Sequence, residues 1–212
     1  TVSDILAVPL VHHLASHHPK LELRLISSFT GHLIDWLQRG EVDVAILYDP
    51  QASRSLRLTP LLLENLMLIG PPSSYLQATH PRAFKDLADY PILLPSPRHG
   101  LRRLIEEAAT LTGIHLRVAI EADSFATLKD LVRSGYGYTI LPLSAVAGEI
   151  ANGSLVVAPL VDPAPARRLV IATSRDRPPT RAARRTVDAL DDVARTLVEA
   201  GAWPAQMITS DR

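Results

Sequence analysis

The chain has 212 residues, enough for one large domain or two small ones with separate cores, and its 22 basic and 22 acidic residues cancel. Balanced charge leaves no broad basic field to draw the chain to nucleic acid, so any DNA contact belongs to a segment outside it. The lack of cysteine excludes disulfides and thiol catalysis and fits a reducing cytoplasm. No apolar run approaches the roughly 20 residues that span a bilayer, and no secretory signal opens the chain. Thr1-Val2-Ser3-Asp4 reads as the start of a helix rather than of a gene product, which points to an upstream piece.

In chain order, Ser3-Asp4 is expected to cap a first helix with Leu6, Leu10 and Leu14 on one face. Pro9 falls in its first turns, where proline is best tolerated. Leu21, Leu23 and Leu25 alternate with Glu22 and Arg24, the pattern of a half-buried strand. A second helix runs over residues 30–39 and stops at Gly40; residues 42–47 suit a buried parallel strand. Strands follow at 61–63 and 66–69. After Pro71-Pro72 come a short helix at 83–88 and a strand at 92–94. Leu101, Leu104, Ile105, Ala108 and Leu111 mark an amphipathic helix ended by Gly113. Leu116, Val118 and Ile120 alternate as a strand. Asp123-Ser124 caps a helix that ends at Gly135, and the strand at 138–141 is closed by Pro142. A helix at 144–151, a strand at 155–158, a proline linker at 163–165 and a strand at 169–172 lead to a final helix opened by Pro178-Pro179-Thr180.

Strands alternate with helices almost throughout, which argues for an α/β fold with mostly parallel sheets covered on both faces. The proline joints near 71–72 and 163–165 suggest a middle segment set into an outer one, the chain crossing between two lobes twice. A shift that brings Leu33 onto Leu128 also brings Asp35 onto Asp130, Leu37 onto Val132 and Gly40 onto Gly135. Two similar lobes give this correspondence; so does any pair of βαβ units.

In such sheets the ligand site lies beyond the carboxyl ends of the strands, where helix N-termini gather. Four helix heads are visible, at Thr1 to Ser3, Ser28 to Thr30, Ser96 to His99, and Asp123 to Phe125. Their N–H groups and dipoles, with the hydroxyls of Thr1, Ser3, Ser28, Thr30, Ser96 and Ser124, can hold a carboxylate or another small anion. For each residue alone, helix capping is the alternative role. Arg98 either pairs with an anionic ligand or is a solvated side chain; Phe125 either covers a ligand or packs in the core.

The motifs of common catalytic chemistry are missing. His12, His13, His17 and His18 form the densest histidine cluster, with His13 and His17 on one helix face, but no carboxylate motif completes a metal site. There is no HExxH pattern, GxSxG elbow or Walker-type loop. Gly135-Tyr136-Gly137 follows a helix and precedes a strand, the reverse of a dinucleotide fingerprint. Asp43, Glu121 and Asp123 lie near strands without an obvious base. No catalytic residue, metal or cofactor is expected, and an enzyme on a two-lobed α/β fold stands only as an alternative.

Three segments together resemble the effector-binding domain of LysR-type transcriptional regulators along nearly the whole chain. His18-Pro19-Lys20-Leu21-Glu22-Leu23-Arg24-Leu25 is similar to that family's P-x-V-x-L-x-L strand. Leu37-Gln38-Arg39-Gly40-Glu41-Val42-Asp43-Val44-Ala45-Ile46 is similar to its L-x-x-G-x-x-D-x-A-I signature. The run from Leu131-Val132-Arg133-Ser134-Gly135 through Tyr136-Gly137 to Leu141-Pro142 is similar to its L-V-x-x-G-x-G-x-x-x-L-P signature. The stretch from Leu94-Pro95-Ser96 to Arg102 resembles a nitrogen-assimilation-regulator subgroup.

The resemblance implies a type 2 periplasmic-binding-protein-like fold of two Rossmann-like lobes joined by two crossover segments, with an effector cleft between them. The outer lobe would be 1–70 with 166–212, lacking its first strand, and the inner lobe 71–165. Ligand-contacting hydroxyls would match Thr1 or Ser3, Thr30 and the turn from Asp123 to Phe125. It further implies a cytoplasmic bacterial sensor of a small, anionic effector that dimerises through its outer lobes, first helix against the partner's second, and forms tetramers at full length. DNA would be bound only through an N-terminal winged helix-turn-helix absent here. The other reading of the same fold is a transporter's periplasmic solute-binding protein.

Overall fold

The computed structural model describes residues 2–50 and 53–208. The chain divides into two compact units, Thr1–Glu64 with Arg168–Arg212, and Asn65–Arg167.

In the first unit, α1 (Val2–His17) buries Leu6, Leu10 and Leu14, and α2 (Thr30–Arg39) buries Leu37. Strand β1 (Ala45–Tyr48) pairs antiparallel with β8 (Ala166–Ser174), in the register Ala45 to Ala172 and Tyr48 to Leu169. The twofold alternation of strand side chains sorts this ladder onto two faces. Leu169 and Ile171 join Leu6, Leu10, Leu14, Leu190, Val193 and Trp203 in a cluster built with α1 and α6 (Arg181–Glu199). Val170 and Ala172 turn the other way and join Ala45, Leu47 and Leu37 of α2. Each fully buried leucine contributes about 1.5–3 kcal/mol. The first part of β2 (Leu56–Gly70) pairs with the short β9 (Gln206–Met207). Thr180 caps α6 by accepting from the Ala183 N–H at 3.0 Å.

In the second unit, the end of β2 pairs antiparallel with β6 (Tyr138–Pro142) and with β7 (Val156–Val161). Strand β6 runs parallel to β4 (Ile92–Leu94), which runs parallel to β5 (Val118–Glu121). The order is thus β7-β2-β6-β4-β5. The two-residue β3 (Arg82–Ala83) pairs with β7 and leads into a 3-10 turn at Phe84–Asp89. Between β4 and β5 runs α3 (Gly100–Thr112), between β5 and β6 α4 (Phe125–Arg133). These two βαβ units place the heads of α3 and α4 just past the carboxyl ends of β4 and β5. The core gathers Phe84, Leu93, Ile105, Leu128, Ile140 and Val146, all buried.

Several sequence expectations change. The sheets are mixed, not mostly parallel: parallel ladders occur at β3–β7, β4–β5 and β4–β6, and the other described ladders are antiparallel. Long β2 merges the two short strands expected at 61–63 and 66–69, the polar Glu64 and Asn65 between them continuing the extended backbone. The alternating stretch 21–25 is not a strand, and Leu23 and Leu25 are exposed. Helix α1 already contains Ser3 and Asp4, and Pro9 sits inside it, at its eighth residue, rather than in its first turns. The helix expected at 144–151 splits into a 3-10 turn at Leu143–Ala145 and a short α5 (Ala147–Ala151).

The glycines of the two signatures have different duties. Gly40 ends α2 at φ 81°, where a left-handed residue closes the helix. Gly137, at φ 154°, lies where a Cβ atom would collide with the carbonyl oxygen of Pro91 and with Leu93. It lets β6 approach the strand start at Ile92, where Tyr138 N–H donates to Pro91 O at 2.9 Å.

Candidate functional site

The expected site residues fall into two groups, one in each unit. In the second unit, the heads of α3 and α4 are tied together. The Ser96 N–H donates to Asp123 Oδ1 at 2.9 Å, joining the loop after β4 to the loop after β5. Ser124 caps α4 by accepting from the Thr127 N–H at 3.3 Å. This leaves its own O–H available to donate. The α3 cap is His99, whose Nδ1 accepts from the Leu101 N–H at 3.1 Å. The His99 ring lies 5.6 Å from that of Phe125, which is half-buried against the core. Arg98 is exposed.

Hydrogen bonds from the Ser96 backbone and side chain hold the exposed Asp123 carboxyl below its ordinary value, with smaller help from His99. Burial pushes the His99 imidazole below its ordinary value; Asp123 opposes this and Arg167 reinforces it. Arg167, only 5% exposed, is the second residue of β8. Sequence reading passed over it because 68 positions separate it from His99 in the chain. It also missed Arg102, 7% exposed, which donates to Pro95 O at 3.1 Å and to Glu121 Oε1 at 3.1 Å and pairs with Glu106 at 2.5 Å. An arginine one turn into an amphipathic helix reads as a solvated side chain, and only its tertiary acceptors reveal otherwise.

In the first unit, Ser3, Ser28 and Thr30 stand on the wall of a groove of about 540 Å³. Leu6, Leu10, Leu21, Val44, Ile46 and Leu190 supply its apolar lining. Ser3 Oγ lies 2.9 Å from Ser27 Oγ, and Ser28 Oγ lies 3.0 Å from His32 Nδ1. Neither hydroxyl of the pair Ser28 and Thr30 caps α2: the cap position is Phe29, with no side-chain bond. The alternative role of capping therefore fails at this head and holds at Ser124. Thr1 lies outside the described residues.

Chemically, both groups offer helix-head N–H donors and hydroxyls, and the first adds an apolar wall, a set suited to holding a small polar molecule. His13 and His17 stack with ring centroids 4.4 Å apart, and His17 Nδ1 donates to His13 O at 2.8 Å. Among the described residues, no group of three His, Cys, Asp or Glu side chains is placed to hold a metal ion. No helix among them is long and apolar enough to cross a membrane.

Comparison with known proteins agrees with these features. The chain is 32% identical over 95% of its length to the HTH-type transcriptional regulator BbuR of Bordetella bronchiseptica. It is 30% identical over 68% of its length to the nitrogen assimilation regulatory protein nac of Klebsiella aerogenes, in line with the subgroup resemblance. It spans 62% and 47% of those two proteins. Among solved structures, the reduced OxyR regulatory domain from Pseudomonas aeruginosa matches with a TM-score of 0.77 at 27% identity, covering 92% of this chain and 93% of that one. The regulatory domain of CcmR from Synechocystis PCC6803, in complex with 2-PG, matches with a TM-score of 0.82 at 20% identity, covering 93% and 95%. The fold is thus the type 2 periplasmic-binding-protein-like one. The LysR substrate binding domain model matches residues 1–195, and with both glycine signatures in place, the chain belongs to the LysR substrate-binding domain family.

Proposed function

We propose that this chain is the ligand-sensing regulatory domain of a LysR-type, DNA-binding transcription factor, that it works in the cytoplasm and that it is not an enzyme. The two units correspond to the family's regulatory subdomains, with DNA contacts supplied by an N-terminal winged helix-turn-helix elsewhere in the longer protein. The effector is a small anion. Its contacts are Ser3, Ser28 and Thr30, with Thr1, in the first unit, and Ser96, Arg98, Asp123, Ser124 and Phe125 in the second. The observation that carries this reading is the Ser96–Asp123 bond, which locks two helix heads at one end of the second unit's sheet. Paired heads concentrate N–H donors and positive dipole ends where a carboxylate or phosphate gains most. The same carboxylate takes one of those donors, so the site favours a small anion with few acceptors over a polyanion.

Regulation follows as a population shift: the effector binds one arrangement of the protein better than another. A tenfold preference amounts to about 1.4 kcal/mol, within reach of a few hydrogen bonds. The assembly is a homodimer through the first unit and a tetramer at full length. Supporting this, Val8 and Val11 on α1 and Phe29 at the head of α2 are exposed apolar side chains, 64%, 41% and 55% accessible. These two helices are the ones that pair in the proposed dimer.

The test is an NMR titration of the chain with inorganic phosphate, sulfate, shikimate, benzoate and glutamate, with a neutral sugar as control. Saturable shifts at the amides of Thr30, Ser96, Ser124 and Thr127 with at least one anion support the reading. Shifts elsewhere only, or with the sugar alone, overturn it. Light scattering tests the assembly, and a monomer at high concentration would favour a solute-binding protein instead.

A further inference from the structure

His99 is an unusual helix cap, because an imidazole accepts a hydrogen bond only at an unprotonated ring nitrogen. Its Nδ1 takes the Leu101 N–H at 3.1 Å, so the capped state requires the neutral ring with its proton on Nε2. The surroundings bear on its protonation from three elements. The ring lies at the amino end of α3, where the helix dipole disfavours a cation. Arg167, at the start of β8, adds a second like charge. Asp123, before α4, is the opposing carboxylate, and it is already committed to the Ser96 N–H. Phe125, the first residue of α4, faces the ring with its own.

We propose that His99 is a proton-operated cap: the neutral ring closes the first turn of α3 against the head of α4, and protonation opens it. Two events follow from adding one proton. The Leu101 N–H loses its acceptor, and a cation appears beside Asp123, competing with the Ser96 N–H for that carboxylate. The loops after β4 and β5 then loosen together where they face His99, because the Ser96–Asp123 bond and the His99–Phe125 contact join them there, while Arg102 still ties Pro95 to Glu121. Burial and Arg167 hold the ring's titration below that of a free imidazole, so the device works on the acidic side of neutrality. Any effect on effector binding rests on the function proposed above. The cap itself is read without ligand, so the two ideas fail separately.

The experiment uses the whole chain, labelled with 15N and with 13C at histidine, titrated from about pH 8 to pH 5. His99→Asn identifies the ring signal and supplies a cap that does not titrate; His99→Ala removes the cap. The wild-type Leu101 amide is expected to lose protection from exchange by about fivefold, the scale of a lost cap, with the midpoint of the His99 ring. In His99→Asn the amide stays protected across the range, and in His99→Ala it is unprotected throughout. A Leu101 amide indifferent to the ring's titration, the same inflection in His99→Asn, or a ring that stays neutral until the chain unfolds in acid overturns the proposal.

Discussion

Replacing Arg102 with alanine tests how the second unit holds its helix heads in place. The side chain is 9% exposed and serves three acceptors, Pro95 O, Glu121 and Glu106. The two carboxylates are about half exposed, at 49% and 48%, so water replaces the guanidinium there and each ion pair contributes only about 0–1 kcal/mol. The Pro95 carbonyl belongs to a buried residue, and losing a charge-assisted bond to it costs about 1.5–3 kcal/mol. Truncating the buried stem adds about 1 kcal/mol. The expected loss is therefore about 2.5–6 kcal/mol. With a urea dependence of about 2 kcal/mol/M, the midpoint falls by about 1.2–3 M. Arg102→Met keeps the stem and should recover about 1 kcal/mol. Arg102→Lys supplies a point charge that cannot fork to three acceptors, so it rescues only in part. Both tryptophans, Trp36 and Trp203, belong to the first unit. Hydrogen exchange along α3 and β4, which reports the second unit directly, is therefore the assay of choice. A loss under about 1 kcal/mol in Arg102→Ala would refute the assignment of a structural arginine.

Three further outcomes are expected. Thr139, fully buried on β6, donates its Oγ1–H to Leu93 O on neighbouring β4 at 2.7 Å; Thr139→Val keeps the shape and should cost about 1–2 kcal/mol by urea unfolding. Gly137→Ala meets both a positive φ and the Pro91 carbonyl, and should cost about 3 kcal/mol, whereas Gly135→Ala, at φ 83° in open space, should cost about 1 kcal/mol; equal losses would remove the argument from close approach. The acid limb of stability should have two stages. His99 binds its proton less readily folded than unfolded, so its contribution is intact above about pH 6.5 and is lost as pH falls toward the lowered folded value. Asp123 and Glu149 are also lowered; for Glu149, burial pushes the carboxyl up but the Lys129 pair, at 2.6 Å, and backbone bonding outweigh it. Their contributions persist above the unfolded values of 3.8 and 4.5 and are lost as pH falls through the folded ones. Urea midpoints from about pH 8 to pH 3 check both stages, and His99→Asn should erase the upper one.

What could be read from the sequence were features that depend on neighbours close along the chain. The faces of α3, α4 and α6, the glycine stops at Gly40 and Gly113, and the Thr180 and Ser124 caps all rest on spacings of three or four residues. The candidate heads were legible for the same reason. Long-range partners were not. That Asp123 spends its carboxylate on the Ser96 amide, that Arg102 ties α3 to Pro95 and Glu121, and that Trp203 Nε1–H satisfies the buried Glu64 at 2.8 Å depend on how strands line up. Sheet direction was misjudged for a related reason. Antiparallel β1–β8 and β2–β6 join segments far apart in sequence, and local alternation of strands and helices carries no information about them.

The stretch 21–28 shows this limit most sharply. Its alternation of Leu21, Leu23 and Leu25 with charged residues is that of a strand with one buried face, and the same residues carry the family likeness. Yet a strand is a property of a pair, since its backbone groups need a ladder to bond, and among the described residues no ladder reaches this segment. What lies between it and β1 is the groove on whose wall Ser3, Ser28 and Thr30 stand. Leu25 and Ile26 are consequently 52% and 39% exposed, although the pattern assigns one of them to the core face. The first unit's group of candidate hydroxyls is therefore held less firmly than the second unit's group. Its hydroxyls are positioned by an unladdered segment and by local bonds such as Ser3–Ser27 and Ser28–His32, whereas Ser96 and Ser124 follow directly from parallel strands and are joined by the Asp123 carboxylate. For the proposed effector, the second unit offers a preformed set of donors, and the first unit's group would have to be ordered more on binding.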